Sequence, residues 1–183
     1  MWYPVNGMGG AARLRLAAAA AGMLALAWVL RPGARPRTAL RLGDPAPALE
    51  LEDAAGQPAA LTHYGGKVVL VDFWATWCDT CEAELPELKR LHSQYRGRGF
   101  EILAPSVDAE GLGAVVPYAG RHGIPWRILL ADAPSADRFG VRGLPTKVLV
   151  DRDGRVAAKY AGPAEPAGLE REIVRLLELK RRT

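Results

Sequence analysis

Residues 67–81 read Lys67-Val68-Val69-Leu70-Val71-Asp72-Phe73-Trp74-Ala75-Thr76-Trp77-Cys78-Asp79-Thr80-Cys81, and most of the architecture follows from them. The first eight, KVVLVDFW, form a short run of β-branched and aromatic residues, the pattern of a strand buried on both faces. From Asp79 the pattern changes to a helical one. Leu85, Leu88, Leu91 or His92, and Tyr95 recur at helical spacing, which predicts a helix over 79–96 ended by Gly97. The two cysteines, Cys78 and Cys81, therefore sit where a buried strand hands over to a helix. Unpaired N–H groups in a first helical turn, together with the positive end of the helix dipole, stabilise a thiolate there. Cys78, at the exposed end, is the candidate nucleophile. Cys81 lies one turn deeper on the same face, placed to resolve a mixed disulfide.

These are the only two cysteines in 183 residues, too few for a multi-bridge scaffold or a four-Cys zinc site. A zinc knuckle would need two more ligands, and His63, His92 and His122 show no paired spacing. An inert structural disulfide would close a loop so small that it restricts the unfolded chain only modestly. A redox-active pair is the reading this context favours, with no metal and no cofactor expected.

Outward from this junction, Leu49 and Leu51 alternate with acids and Ala-Ala-Gly-Gln-Pro forms a turn before Ala60-Leu61, a small hairpin ahead of the main sheet. A second strand is expected at Phe100–Val107, a weak helix over 109–122 and a short strand at Arg127–Leu130. Strands at Lys147–Asp151 and Arg155–Tyr160 surround Asp153-Gly154, which predicts a tight primed turn. A last helix over 165–181 buries Leu169, Ile173, Leu176 and Leu177. The order β-α-β-α-β followed by β-β-α gives an α/β fold with a mixed central sheet flanked by helices.

Charge is distributed unevenly. The chain has 24 Lys and Arg against 20 Asp and Glu, but six Arg precede residue 42 and no acid precedes Asp44. The remainder carries 18 basic and 20 acidic side chains, which excludes a basic nucleic-acid-binding domain. Residues 16–30, LAAAAAGMLALAWVL, are uncharged, mostly apolar and flanked by Arg. They read as a short signal anchor within a 1–30 leader, or as the apolar part of a signal peptide cleaved after Ala25-Leu26-Ala27. Residues 31–42 read as a linker and 43–183 as the folded domain. Four Arg follow the apolar stretch and two precede it, which by charge alone favours a cytoplasmic C-terminal domain.

Val71–Cys81, together with Gly143-Leu144-Pro145-Thr146, closely resembles the thioredoxin superfamily. The leading hairpin, the segment between the second and third strands and the N-terminal apolar stretch resemble its TlpA/ResA branch of membrane-tethered thiol–disulfide oxidoreductases. The resemblance covers roughly residues 43–180 and implies a thioredoxin fold with an N-terminal β-hairpin extension. It also implies a domain facing the periplasm or cell exterior from the inner membrane (or a soluble periplasmic form after cleavage), disulfide-containing client proteins, and an upstream membrane thiol–disulfide electron donor. Pro145 matches the cis-proline that faces the Cys pair, with Trp77, Leu144 and Thr146 beside it as client-binding residues, and Pro86 matches a helix kink. Glu84 matches a buried Glu of the branch, where a desolvated carboxylate would shuttle the proton of Cys81. Asp72, six residues before Cys78, matches the buried acid of thioredoxins; two acids near one Cys pair is more than one mechanism needs, so either Glu84 or Asp72 moves the proton and the other is structural. Three departures stand out. Asp79-Thr80 separate the cysteines where relatives have Gly-Pro or Glu-Pro, and the Lys that partners the buried acid in thioredoxins has no counterpart in Ile102–Asp108, where Ala104-Pro105 stand. Thr146 in place of a Glu after the cis-proline weakens a cytochrome-maturation role. Reduction of client disulfides is the expected reaction. A disulfide oxidase or isomerase, and a non-catalytic copper- or client-binding module using the same thiols, are the alternatives.

Overall fold

A computed structural model describes residues 40–179; the apolar stretch at 16–30 and most of the proposed linker lie outside them. The 67–74 run folds as expected. After a two-stranded hairpin of β1 (Glu50–Glu52) and β2 (Pro58–Ala60), β3 spans Val68–Phe73 with every residue buried. Then follow α1 (Asp79–Tyr95), β4 (Phe100–Ser106), α2 (Leu112–His122), β5 (Arg127–Leu130), α3 (Ala133–Arg138), β6 (Thr146–Val150), β7 (Val156–Ala161) and α4 (Pro166–Glu178). The central sheet has the order β5-β4-β3-β6-β7, with β3 parallel to β4 and antiparallel to β6. It is the expected mixed α/β thioredoxin fold, with the hairpin as a separate sheet near the N-terminus.

Alternation along β3 divides the core. Val68 and Leu70 face Leu85, Leu88 and Leu91 of α1 and Leu169, Ile173 and Leu176 of α4. Val69, Val71 and Phe73 face the other way, into a layer closed by Leu49 and Ala59 of the hairpin region and by Phe139. Burying one such leucine fully is worth about 1.5–3 kcal/mol. Each layer thus holds its helices or hairpin by ordinary apolar burial. Asp72 belongs by parity to the α1 side, the one charged residue on a strand that is otherwise apolar.

Three local expectations change. Gly97 does not end α1 in a left-handed conformation; a short 3-10 turn over Arg96–Arg98 intervenes and Gly99, at φ 97°, takes that role. The β6–β7 connection is not a primed two-residue turn. Only Gly154 has positive φ (75°), and Asp151 pairs with Arg155 through the Asp151 N–H to Arg155 carbonyl bond. That is a type I turn with glycine at its left-handed end. Finally, α3 was not anticipated, although Asp132 caps it by accepting from the Ser135 N–H at 2.7 Å and Pro134 lies in its first turn. Six residues are too few to show a helical apolar period, so the cap was the only signal in the sequence.

Candidate active site

Cys78 is the N-cap of α1. Its sulfur accepts from the Cys81 N–H at 3.2 Å, and its carbonyl accepts from the N–H groups of Cys81 and Glu82. The two cysteines are joined as a disulfide, with Cα atoms 5.2 Å apart. The pair does not divide into an exposed and a shielded residue in this oxidised state, since Cys78 is 7% and Cys81 6% exposed. Trp77, immediately before them, is 64% exposed. An indole standing this far into solvent stabilises nothing in the core and is available to another molecule.

The loop that presents Trp77 is pinned by a group the sequence reading did not single out. Asp108, buried just beyond the end of β4, accepts from the Thr76 N–H at 3.0 Å and the Thr76 hydroxyl at 2.6 Å, and also from the Ser106 hydroxyl. Pairing of Trp74 with Ser106 brings Asp108 alongside. Nothing in the local sequence around Asp108 announces this, because the contact is made between strands.

The Leu144–Pro145 bond is cis, as the Gly143–Thr146 motif implied. Thr146 pairs in register with Phe73, so the cis-proline lies at the end of the sheet where β3 leads toward Cys78. Leu144 is half-buried, and Pro145 is buried with its carbonyl accepting from the Gly162 N–H. Thr146 is also buried, and its hydroxyl donates to the Gly143 carbonyl at 2.7 Å. Its side chain therefore closes the turn onto Gly143.

Behind Cys81 the second strand offers the buried acid no lysine, as expected, but another strand does. The antiparallel register of β3 and β6 sets Asp72 directly opposite Lys147. Lys147 is fully buried, its amine 2.6 Å from Glu84 Oε2 and 3.5 Å from Asp72 Oδ1. The lysine comes from the strand after the cis-proline and not from β4, where Ala104 and Pro105 stand. Alternation could have revealed it: in Thr146–Val150, Lys147 shares a face with the core residue Leu149. Glu84, with its side chain 15% exposed, uses both oxygens, one for Lys147 and the other for the Ala164 N–H at 2.8 Å. Asp72 Oδ1 is buried with no hydrogen-bond partner. Burial pushes the Asp72 carboxyl up to about 6; Lys147 opposes that push and Glu84 adds to it. Asp72 and Cys81 also line one cavity of about 10 Å³, with Trp74, Leu85, Ala104, Ile124 and Trp126.

Thr80 adds a further contact. A disulfide sulfur carries no hydrogen, so the Thr80 hydroxyl is the donor in its 3.4 Å contact with Cys78 Sγ. Thr80 supplies no charge, but it does supply a hydrogen bond to the candidate nucleophile. Among the described residues no group of three or more His, Cys, Asp or Glu side chains is arranged to hold a metal.

This arrangement agrees with what the chain is similar to. Residues 41–176 match the family model described as Redoxin. The chain is 38% identical over 127 residues to the thiol–disulfide oxidoreductase ResA of Geobacillus thermodenitrificans, covering 69% of this chain and 72% of that protein. It is 34% identical over 138 residues to ResA of Geobacillus kaustophilus, covering 75% and 79%. A crystal structure described as a putative thiol:disulfide interchange protein DsbE from Chlorobium tepidum superposes with a TM-score of 0.71 at 30% identity, covering 75% of this chain and 99% of that one. A cysteine pair capping the first helix, a cis-proline at the same end of the sheet and relatives of this closeness leave one conclusion: the chain belongs to the redoxin family of the thioredoxin superfamily, as a thiol–disulfide oxidoreductase of the TlpA/ResA type.

Proposed function

We propose that the protein reduces disulfides of client proteins outside the cytoplasm, with Cys78 as nucleophile, Cys81 as resolving thiol and Asp72 as the acceptor of the Cys81 proton. The observation that carries this division of labour is the cavity that Cys81 shares with Asp72. In the reduced protein the Cys78 thiolate attacks one sulfur of a client disulfide. The client S–S bond breaks, one client thiolate leaves, and a mixed disulfide forms. Cys81 gives its proton to Asp72, and the resulting thiolate attacks Cys78 Sγ. The Cys78–Cys81 bond forms and the second client thiolate departs, so two electrons have passed to the client. A client segment would lie across the exposed Trp77 and the backbone around Leu144, Pro145 and Thr146. An upstream membrane dithiol then reduces the pair again.

Two features support the reducing direction. Asp79 places a negative charge beside Cys78, and no histidine lies between the cysteines. The Thr80 hydroxyl offsets Asp79 only as a neutral donor would. The Cys78 thiolate is thus stabilised mildly, and a mildly stabilised thiolate belongs to a reducing pair. Equilibration with glutathione tests the direction. The pair should be largely oxidised except under strongly reducing conditions, and a pair that stays reduced in a moderately oxidising buffer makes the protein an oxidase. Insulin reduction tests the roles, and a Cys78→Ser protein that retains the wild-type rate removes Cys78 as nucleophile.

The apolar stretch at 16–30 anchors the chain in this reading; among the described residues no helix is long and apolar enough to cross a membrane. An exported-phosphatase reporter fused after residue 183 should be active, with the intact chain in the membrane fraction. A soluble form beginning near Trp28 would replace the anchor by a cleaved signal, and an inactive fusion would place the domain in the cytoplasm.

A further inference from the structure

The outer face of α2 lacks the polar residues that normally meet water. Val115 and Tyr118 are buried in the core, as the inner stripe of a surface helix should be. The residues turned outward are Leu112, Gly113, Val116, Pro117 and Gly120, and the helix carries no charged side chain before Arg121. A surface helix ordinarily sets charged or polar residues opposite its buried stripe; α2 has apolar and small residues on both sides. Large apolar side chains are exposed at only five places among the described residues. Leu42 and Leu179 lie close to the two ends of the described chain. The other three are Trp77 at 64%, Val116 at 46% and Leu112 at 38%, and apolar groups gathered in one region of a surface mark a place where another molecule binds.

Strand pairing sets these three at the cysteine end of the domain. Trp74 bridges to Ser106, and Asp108 accepts from the Thr76 N–H and hydroxyl. Trp77 follows Thr76, and Leu112 opens α2 four residues after Asp108, a reach of at most about 14 Å. One turn further along, the Tyr118 hydroxyl donates to Glu82 Oε2, and the Glu82 N–H donates to the Cys78 carbonyl. The Tyr118 ring also packs on Trp74. So α2 lies against the first turn of α1, the turn that begins at the disulfide. We infer that the outer face of α2 is a docking surface for an apolar segment of the client protein, next in the client chain to the cysteine that Cys78 attacks. This rests on the reading of Cys78 as the residue that attacks client disulfides.

Continuity, size and charge select this occupant. The face continues the surface on which a client must already lie to bring its disulfide to Cys78. Eleven residues of helix are about 16 Å long, the length of about five residues of extended chain. A stable contact between two copies of the protein buries about 800 Å² on each side, several times what one face of so short a helix offers. Asp79 and Glu110 are exposed at the same end, and carboxylates there oppose an anionic lipid surface. Gly113 and Gly120 add room for a backbone: nothing lies within 4 Å of where a Cβ would stand on either, so an extended chain can approach the helix closely.

The test uses the reduced full chain in phosphatidylcholine nanodiscs and two peptides, each with one cysteine joined as a disulfide to 5-thio-2-nitrobenzoate. The peptides are identical except for the residues flanking the cysteine, Leu-Val-Leu on both sides in one and Ser-Gly-Ser in the other. Attack of the Cys78 thiolate on the peptide sulfur breaks the peptide–nitrobenzoate bond, forms a Cys78–peptide disulfide and releases the coloured thiolate. The wild type should react with the apolar peptide at least about tenfold faster. That ratio is about 1.4 kcal/mol, which about 55 Å² of covered apolar surface supplies. In a Leu112→Ser, Val116→Ser double variant the ratio should fall below about threefold; a ratio taken within one protein cancels any change in the reactivity of Cys78 itself. A photo-crosslinking benzoylphenylalanine incorporated at position 116 of Cys81→Ser reads the same face while keeping it apolar. With the apolar peptide held on Cys78 as the mixed disulfide, the crosslink should form to the peptide, and with the polar peptide it should not. Equal rates for the two peptides in the wild type, a preference that survives in the double variant, or a crosslink to a second copy or to lipid instead of the peptide overturns the inference. If neither peptide releases nitrobenzoate, it is the reading of Cys78 that has failed.

Discussion

Replacing Asp72 by Asn should make the oxidised protein more stable at neutral and alkaline pH, and the pH dependence of that gain gives its origin. The native carboxyl titrates at about 6 against an ordinary 3.8, with burial as the largest cause. A raised acid pKa means that the folded state holds a proton the unfolded chain has already released. As pH rises from about 3.8 to about 6, the wild type therefore loses stability, and above that window the loss is complete and constant. At about 1.36 kcal/mol per pH unit the interval is worth roughly 3 kcal/mol, most of which develops between pH 4 and pH 8. The buried amide of Asn has its own cost, on the order of 1 kcal/mol, but that cost is the same at both pH values and drops out of the difference. Urea unfolding of both proteins at pH 4, 5, 6, 7 and 8 measures it. The variant's advantage should grow by roughly 2 to 3 kcal/mol across the series and level off above about pH 6.5. A difference that stays flat, or one that grows on acidification, refutes the assignment of a raised pKa to this buried carboxyl. The same variant should resolve mixed disulfides more slowly, so that stability and rate change in opposite directions, as expected where a site keeps an uncomfortable charge for its chemistry.

Two other substitutions probe the approaches to the cysteines. Thr80→Val removes the hydroxyl 3.4 Å from Cys78 Sγ, and a hydrogen bond worth about 1 kcal/mol should raise the Cys78 thiol pKa by about 0.7, measured by thiolate absorbance, with Thr80→Ser restoring it. An unchanged value in Thr80→Val would show that the hydroxyl does not reach the thiolate once the disulfide is opened. Asp108→Ala strips three donors of their acceptor, among them the Thr76 N–H and hydroxyl. It should cost about 1–3 kcal/mol in denaturant unfolding and reduce protection of the Thr76 amide from hydrogen exchange. An unaltered exchange rate would mean that the loop is held elsewhere.

Much of this site is legible locally. Apolar density over 67–74 specifies a buried strand, helical spacing from Leu85 to Tyr95 specifies the helix, and the junction between them places Cys78 at a helix N-terminus whatever the rest of the chain does. The run Gly143-Leu144-Pro145-Thr146 is equally self-declaring by resemblance, and the cis bond stands where it implied. Short features carry less: α3 has six residues and no period, and Asp153-Gly154 is compatible with either of two turn types, between which the dipeptide does not choose.

The members of the cluster behind Cys81 can be read in part from the sequence, but their meeting belongs to tertiary structure. Asp72, Glu84 and Lys147 come from β3, α1 and β6, with Glu84 and Lys147 separated by 63 positions. What brings them together is the antiparallel register of β3 with β6, and one residue of slip would turn Lys147 out of the α1 side of the sheet. The sequence by itself therefore determined which atoms do the sulfur chemistry, because that depends on a strand end and a helix start only a few residues apart. Which acid lies in the cavity beside Cys81, and which is hydrogen-bonded to the lysine, was decided by strand pairing and helix packing, because electrostatics between buried charges follows distance in space and not position along the chain.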